Sequence, residues 1–175
     1  MKILGTEKIL KAHVFDIEKV SAELPDGRQR YYDLVHHGPG VVILPVTDEG
    51  KILFVRQYRI GAGSELLELP AGMVNEGEDP DPAAARELRE ETGYEAGEIT
   101  RLGGFYASAG YCSEYLYAYL ARDLKWNPLP QDDDEFISNI SMSIQEAYAA
   151  AENGEMNDAK TIIALMMAQK YIRKG

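Results

Sequence analysis

The sequence predicts an α+β protein, an α/β/α sandwich with a small N-terminal antiparallel β layer. Three observations carry this reading. ILKAHVFDIEKVSAEL (9–24) alternates roughly apolar and polar, meets the hairpin signal Pro25-Asp26-Gly27, and resumes as RQRYYDLVHH (28–37). Two apolar runs, VVILPV (41–46) and KILFVRQY (51–58), flank the tight turn TDEG. Further strand patterns then alternate with capped helical ones, which is the order of a mixed sheet covered by helices.

The first layer covers residues 1–40, which Gly38-Pro39-Gly40 punctuates, and the main domain covers 41–175. ELLELPAG (65–72) reads as a strand ending in a bend, and MVNEGEDPD (73–81) as a polar loop. A helix follows, with Asp81 as N-cap, Pro82 at its first position and Gly93 as C-cap. Ala84, Ala85 and Leu88 are suited to face the core. Strands are expected at Thr100–Tyr106 and Tyr115–Arg122, then a loop at 126–135 ending in four consecutive acids, then a short strand in FISNISM (136–142). Ser143 and Glu146 form a capping-box pattern opening a helix to about Asn153. A last helix runs from about Asp158 to Arg173, with Ile162, Ile163, Leu165, Met166 and Met167 on its apolar side.

Composition excludes several function classes. The 175 residues hold 29 Asp plus Glu against 18 Lys plus Arg, a net charge of −11. Such a surface repels nucleic acid and anionic membranes, and repels a phosphate substrate too unless a metal ion mediates. Cys112 is the only cysteine, so no intrachain disulfide forms, and a reducing cytoplasm is the expected compartment. The N-terminal stretch is charged throughout and reads neither as a signal peptide nor as a membrane span.

The helix holds a charge conflict. Glu87 and Glu91 lie one turn apart on one line, and Glu90 neighbours Glu87. Like charges at this spacing cost about 0.2–0.5 kcal/mol per pair on a bare helix. A solvated face balanced by Arg86 and Arg89 is the ordinary explanation. A hard-cation site is the other: magnesium takes one or two carboxylates and fills its remaining positions with water and substrate phosphates. A bound cation would also attract an anionic substrate to an acidic protein.

The wider pattern decides between them. From Gly72 the sequence reads GMVNEGEDPDPAAARELREETGY: Gly72, five residues, Glu78, seven residues, Arg86-Glu87-Leu88, one residue, Glu90-Glu91, one residue, Gly93, Tyr94. This resembles the Nudix box at every fixed position, with Tyr94 where an aliphatic residue is usual; a chance match is on the order of 1 in 100,000. The resemblance implies a Nudix fold and a loop–helix that binds divalent cations and a diphosphate. It implies Glu87 and Glu91 as metal ligands with Glu90 as ligand or proton acceptor, and the Ala71 carbonyl as a further ligand. Glu78 would support them and Arg86 would orient them. Magnesium is the expected ion, with manganese able to substitute.

Outside the box, VRQYR (55–59), LLELPAG (66–72), LARDL (120–124) and DAKTIIAL (158–165) resemble the ADP-ribose pyrophosphatase branch of the family. That resemblance implies hydrolysis of ADP-ribose to AMP and ribose 5-phosphate, and a homodimer formed through the N-terminal layer. It implies Arg59 at the phosphates, Met73 at the ribose side, and Ser108, Gly110 and Glu114 at the terminal ribose. Tyr31, Tyr32, Arg28 and Arg30 would hold adenine from the other subunit. Glu135, at the end of the acidic loop, competes with Glu90 for the role of general base. One departure stands out: Ala109 occupies the place of a proline usual in the branch, freeing that loop. Another nucleotide sugar such as GDP-mannose therefore remains an alternative substrate, and a non-catalytic nucleotide-sugar sensor a second alternative.

Overall fold

The computed structural model describes residues 1–131 and 136–172. The chain divides into two compact units: Met1–Pro39 with Phe105–Tyr115, and Gly40–Gly104 with Leu116–Gly175.

The first unit is built on a three-stranded antiparallel sheet in the order β1 (Lys2–Lys11), β2 (Phe15–Glu23), β3 (Gln29–His37). The sequence pattern reads as one strand across 9–24. The structure breaks it at residues 12–14, where Ala12 N–H donates to the Phe15 carbonyl and turns the chain back. β1 was missed because its lysines and glutamate blur the alternation. It is exposed along its whole length, so no buried face imposes a period-2 pattern on it. The second hairpin, at Pro25–Gly27, lies where the sequence puts it, with Gly27 at φ 83°.

The second unit holds two sheets. One is antiparallel, in the order β10 (Ser138–Ser143), β5 (Lys51–Arg59), β6 (Ser64–Glu68). The other is mixed, in the order β7 (Ala71–Met73), β4 (Gly40–Pro45), β9 (Tyr115–Trp126), β8 (Tyr94–Tyr106), with β4 and β9 parallel. All six residues of β4 are buried, which requires cover on both faces. Helices α1 (Pro80–Thr92) and α3 (Ala159–Ile172) both pack on this strand. On the α1 side, Val41 and Ile43 of β4 join Ala83, Ala84 and Leu88 of the helix and Tyr119 and Ala121 of β9 in one cluster. Burying a leucine such as Leu88 contributes about 1.5–3 kcal/mol. α2 (Ile144–Glu152) packs on β10 and β5. The α+β architecture is the one the sequence predicts.

Four expectations are corrected. The N-cap of α1 is Asp79, with Pro80 inside the helix. Asp81 sits in the first turn instead, and its carboxylate accepts from Tyr119 Oη at 2.6 Å and pairs with Arg101 at 2.8 Å. Both Asp-Pro pairs are compatible with a helix start, because first-turn N–H groups have no intrahelical partner and Pro82 forfeits nothing there. The strand in 65–72 ends at Glu68 and the chain turns at Pro70, which cannot donate to a ladder, but Ala71–Met73 is not only a bend: it forms β7 in the other sheet. β8 starts at Tyr94, directly after the helix, rather than at Thr100. In α3 the buried line is Thr161, Ala164, Leu165 and Ala168, while Met166 is exposed. The capping box at Ser143 and Glu146 forms as expected.

Candidate active site

The box folds as β7, a turn, and α1. Asn75 and Glu78 close the turn: Glu78 N–H donates to the Asn75 carbonyl at 3.0 Å, and Asn75 N–H donates to Glu78 Oε2 at 3.0 Å. Gly77 takes φ 77°, the left-handed region that glycine enters without penalty.

Arg86 organises the acids. Nε donates to Glu78 Oε1 at 3.1 Å, and Nη2 to Glu78 Oε2 at 3.0 Å and to the Met73 carbonyl at 2.9 Å. Nη1 donates to Glu87 Oε1 at 2.7 Å and Glu90 Oε2 at 2.8 Å. Every edge of the fork is used, which a lysine could not reproduce. The guanidinium is held more basic than usual, first by the Glu78 hydrogen bond and then by Glu87 and Glu90. Reciprocally, the Glu78 carboxyl sits below its ordinary value, chiefly through Arg86.

Glu91 is buried, and Ala71 N–H donates to its Oε2 at 2.9 Å. Gly72 is where the backbone and the helix come closest. A Cβ there would lie 2.1 Å from Glu87 Cδ, so only glycine leaves room for that carboxylate. Glu87 thus lies over Gly72, Glu91 is held at Ala71, and Glu90 shares Arg86 with Glu87; hard oxygen donors of this kind suit a divalent cation. Among the described residues, no group of three or more acidic, histidine or cysteine side chains converges as a ready cage. Arg86 places its positive charge between Glu87 and Glu90.

Arg59, at the end of β5, lies against a buried acid. Its Nε and Nη2 donate to the two oxygens of Glu68, each at 2.7 Å. Glu68 is 1% exposed and also pairs with Lys160, which reaches Asp158 at 3.0 Å. Burial pushes the Glu68 carboxyl up, but Arg59 and Lys160 outweigh it and leave it below its ordinary value. The sequence reading assigns no role to Glu68 or Lys160. The available signal was an acid between leucines in an apolar strand, which demands a cationic partner.

The loop and β3 candidates for the substrate lie in the first unit. The loop 107–114 is tied to β3: Val35 N–H donates to the Tyr111 carbonyl, and Ser113 N–H to the Val35 carbonyl. Ser113 Oγ accepts from His37 N–H at 2.9 Å and donates to the His37 carbonyl at 3.1 Å. The Ser108 carbonyl accepts from Tyr111 and Cys112 N–H, and Gly110 stands in open space. Glu114 approaches His37 Nδ1 at 4.0 Å. The sequence reading gives Ser113 no role, although it pins the loop. In β3, Arg30 and Tyr32 share one face and Tyr31 takes the other, where the Lys19 ammonium sits 5.1 Å from its ring centroid. Arg28 pairs with Asp26 at 2.6 Å. Met73 is partly exposed, and Glu135 lies outside the described residues.

A mixed sheet carrying a glycine-led loop and an acid-rich helix defines a class, and comparison with known proteins names it. The NUDIX domain family model matches residues 36–165, most of the chain, and the protein belongs to the Nudix family. It is 36% identical over 170 residues to an ADP-ribose pyrophosphatase of Bacillus subtilis, covering 96% of this chain and 92% of that one. It is equally similar, with the same coverage, to a methanol dehydrogenase activator of Bacillus methanolicus. The crystal structure of an ADP compounds hydrolase superposes with a TM-score of 0.88 at 26% identity, over 99% of this chain and 95% of the other. No helix among the described residues is long and apolar enough to cross a membrane.

Proposed function

We propose that the protein hydrolyses the pyrophosphate bond of ADP-ribose, with water adding to one phosphorus and the bridging P–O bond breaking, to give AMP and ribose 5-phosphate. The observation that carries this is a chain of contacts along the box: Arg86 holds Glu87 and Glu90, Glu87 lies over Gly72, and Ala71 N–H holds Glu91. The 36% identity to an ADP-ribose pyrophosphatase along nearly the whole chain supports the substrate.

Glu87, Glu90, Glu91 and the Ala71 carbonyl would hold magnesium, or manganese in its place. The bound ion would neutralise the diphosphate and lower the pKa of a bound water. Arg86 keeps Glu87 and Glu90 in register, and the Ala71 N–H fixes the Glu91 carboxylate. Arg59 presents a guanidinium suited to a phosphate oxygen. Glu90 or Glu135 takes the proton from the attacking water. Met73 would line the ribose side; Ser108, Gly110 and Glu114 are candidates for the terminal ribose, and Arg30, Tyr31 and Tyr32 for the adenine of a partner's substrate. The exposed Ile3, Leu4, Ile9 and Leu10 of β1 favour a homodimer through the N-terminal sheet. The unpaired Cys112 fits a reducing cytoplasm.

The test is release of AMP from ADP-ribose by the purified protein with magnesium, run beside GDP-mannose and other nucleotide sugars. A higher kcat/KM for another sugar would move the substrate. Turnover lost in Glu91→Gln with ligand binding kept excludes a sensor that only binds.

A further inference from the structure

We propose that Glu68 and Lys160 are positioning residues that aim Arg59 at the diphosphate, so that the first turn of α3 sets the geometry of the phosphate end of the site. The inference rests on the pyrophosphatase reading above and adds residues that reading does not use.

Glu68 lies between Leu67 and Leu69, almost wholly buried. A buried carboxylate is costly unless fully paired, and a well-packed apolar residue at such a place is often at least as stable. Stability alone therefore does not account for an Arg59–Glu68–Lys160–Asp158 chain of alternating charge. Geometry does. Arg59 is itself 40% exposed, yet its Nε–Nη2 edge is locked onto the two oxygens of Glu68. That leaves its Nη1 end without a partner among the described residues, and Glu91 is near enough to contribute to its raised basicity. A guanidinium with one edge fixed inward and the other available beside the box is prepared for a bidentate or end-on phosphate contact.

Lys160 sets the other half of this clamp. Asp158 accepts from Thr161 N–H at 3.0 Å and from Thr161 Oγ1 at 2.6 Å, which closes the start of α3. Thr161 Oγ1 in turn accepts the Leu69 N–H at 2.8 Å. Pro70 then receives Ile43 N–H at 2.9 Å, and Ala71 donates to Glu91. Each residue from Glu68 to Ala71 is tied in place, and the ties run from α3 to the box. Lys160 draws Glu68 toward α3, and Glu68 orients Arg59.

The experiment compares Arg59→Met, Lys160→Met, Lys160→Arg and the double variant Arg59→Met/Lys160→Met. Kinetics on a nucleoside diphosphate sugar panel are read beside melting temperature and calorimetric titration with inorganic pyrophosphate and magnesium. Lys160→Met is expected to lower kcat at least about tenfold for every hydrolysed substrate, with KM changed less, as misplacement does. It is also expected to weaken pyrophosphate binding. Lys160→Arg restores both to within about threefold, and the double variant is no worse than Arg59→Met alone, the signature of residues acting in series. Additive losses overturn the proposal. So does a fall in melting temperature with unchanged kcat, or the absence of pyrophosphate binding by the unsubstituted protein. If no sugar on the panel is hydrolysed but pyrophosphate binding follows the pattern above, the pyrophosphatase reading fails and the positioning role stands. Should Lys160→Met not fold, Lys160→Gln takes its place in the same comparison.

Discussion

The carboxylate of Glu87 lies directly over Gly72, so close that a Cβ on residue 72 would stand 2.2 and 2.3 Å from its two oxygens. The backbone at Gly72 needs no left-handed φ; what it needs is the missing side chain. The obstructing atoms are the tip of a flexible residue, so Gly72→Ala lets the fold survive by moving Glu87 off its Arg86 partner. The expected result is a melting temperature within a few degrees of the parent, since Gly→Ala also stiffens the unfolded chain by about 0.4–1 kcal/mol. Turnover is expected to fall about 100-fold. Circular dichroism melts and steady-state kinetics on the same sample check it; near-parental turnover sinks the idea.

Arg86 is the internal counter-charge of the box, and its removal should make the protein more dependent on an added cation. Without it, Glu78, Glu87 and Glu90 repel each other, each helix pair by about 0.2–0.5 kcal/mol. Magnesium is expected to raise the melting temperature of the parent, more in Arg86→Met and less in Glu87→Gln. Turnover of Arg86→Met falls about 100-fold, because the acids lose their register. Thermal shift with and without magnesium decides it: equal responses in all three proteins would mean that the cation does not sit among these residues.

The site was legible where its geometry is local. Helical spacing alone brings Glu87, Glu90 and Glu91 together, and the Gly72-to-Gly93 pattern identifies the loop–helix before any fold is known. The hairpin at Pro25–Gly27, the apolar β4 and the Ser143 capping box were legible for the same reason. Partners distant in sequence were not. Nothing in LLELPAG names Lys160, 92 positions away, as the second cation on Glu68. Nor does the sequence decide between Asp79 and Asp81 as N-cap, since both precede a proline. Only the Tyr119 and Arg101 contacts, reached through β8 and β9, show what Asp81 is engaged in.

Acid should loosen the Glu68 clamp. Burial favours the neutral carboxyl, but Arg59 and Lys160 together hold its pKa below the ordinary 4.5. A depressed carboxyl contributes stability that is fully present above the unfolded value and is lost as pH falls through the folded one. Glu78 and Asp81, depressed by Arg86 and by Tyr119 respectively, change in the same direction. Urea unfolding from about pH 7 to about pH 3 is expected to show stability falling below about pH 4.5, with a shallower slope in Glu68→Gln. A slope unchanged by that substitution would assign the acid sensitivity to the other carboxyls.

Gly93 closes α1 in the left-handed region at φ 80°, its N–H donating to the Arg89 carbonyl and its carbonyl accepting from Asn127 N–H at 2.9 Å. Trp126 covers it: a Cβ on residue 93 would lie 2.4 Å from Cζ3 and 2.6 Å from Cη2. The indole also makes an edge-on contact with Tyr94, centroids 5.3 Å apart. Gly93→Ala therefore combines about 1–2 kcal/mol of backbone strain with displacement of the ring. A drop in melting temperature of about 6 °C is expected for a domain of this size. Trp126 is the only tryptophan, so its fluorescence reports the displacement directly. Combining Gly93→Ala with Trp126→Ala removes the clash and leaves the strain, so the double variant should lose less stability than the two single losses added together. Strict additivity would show that the ring bears on nothing at Gly93.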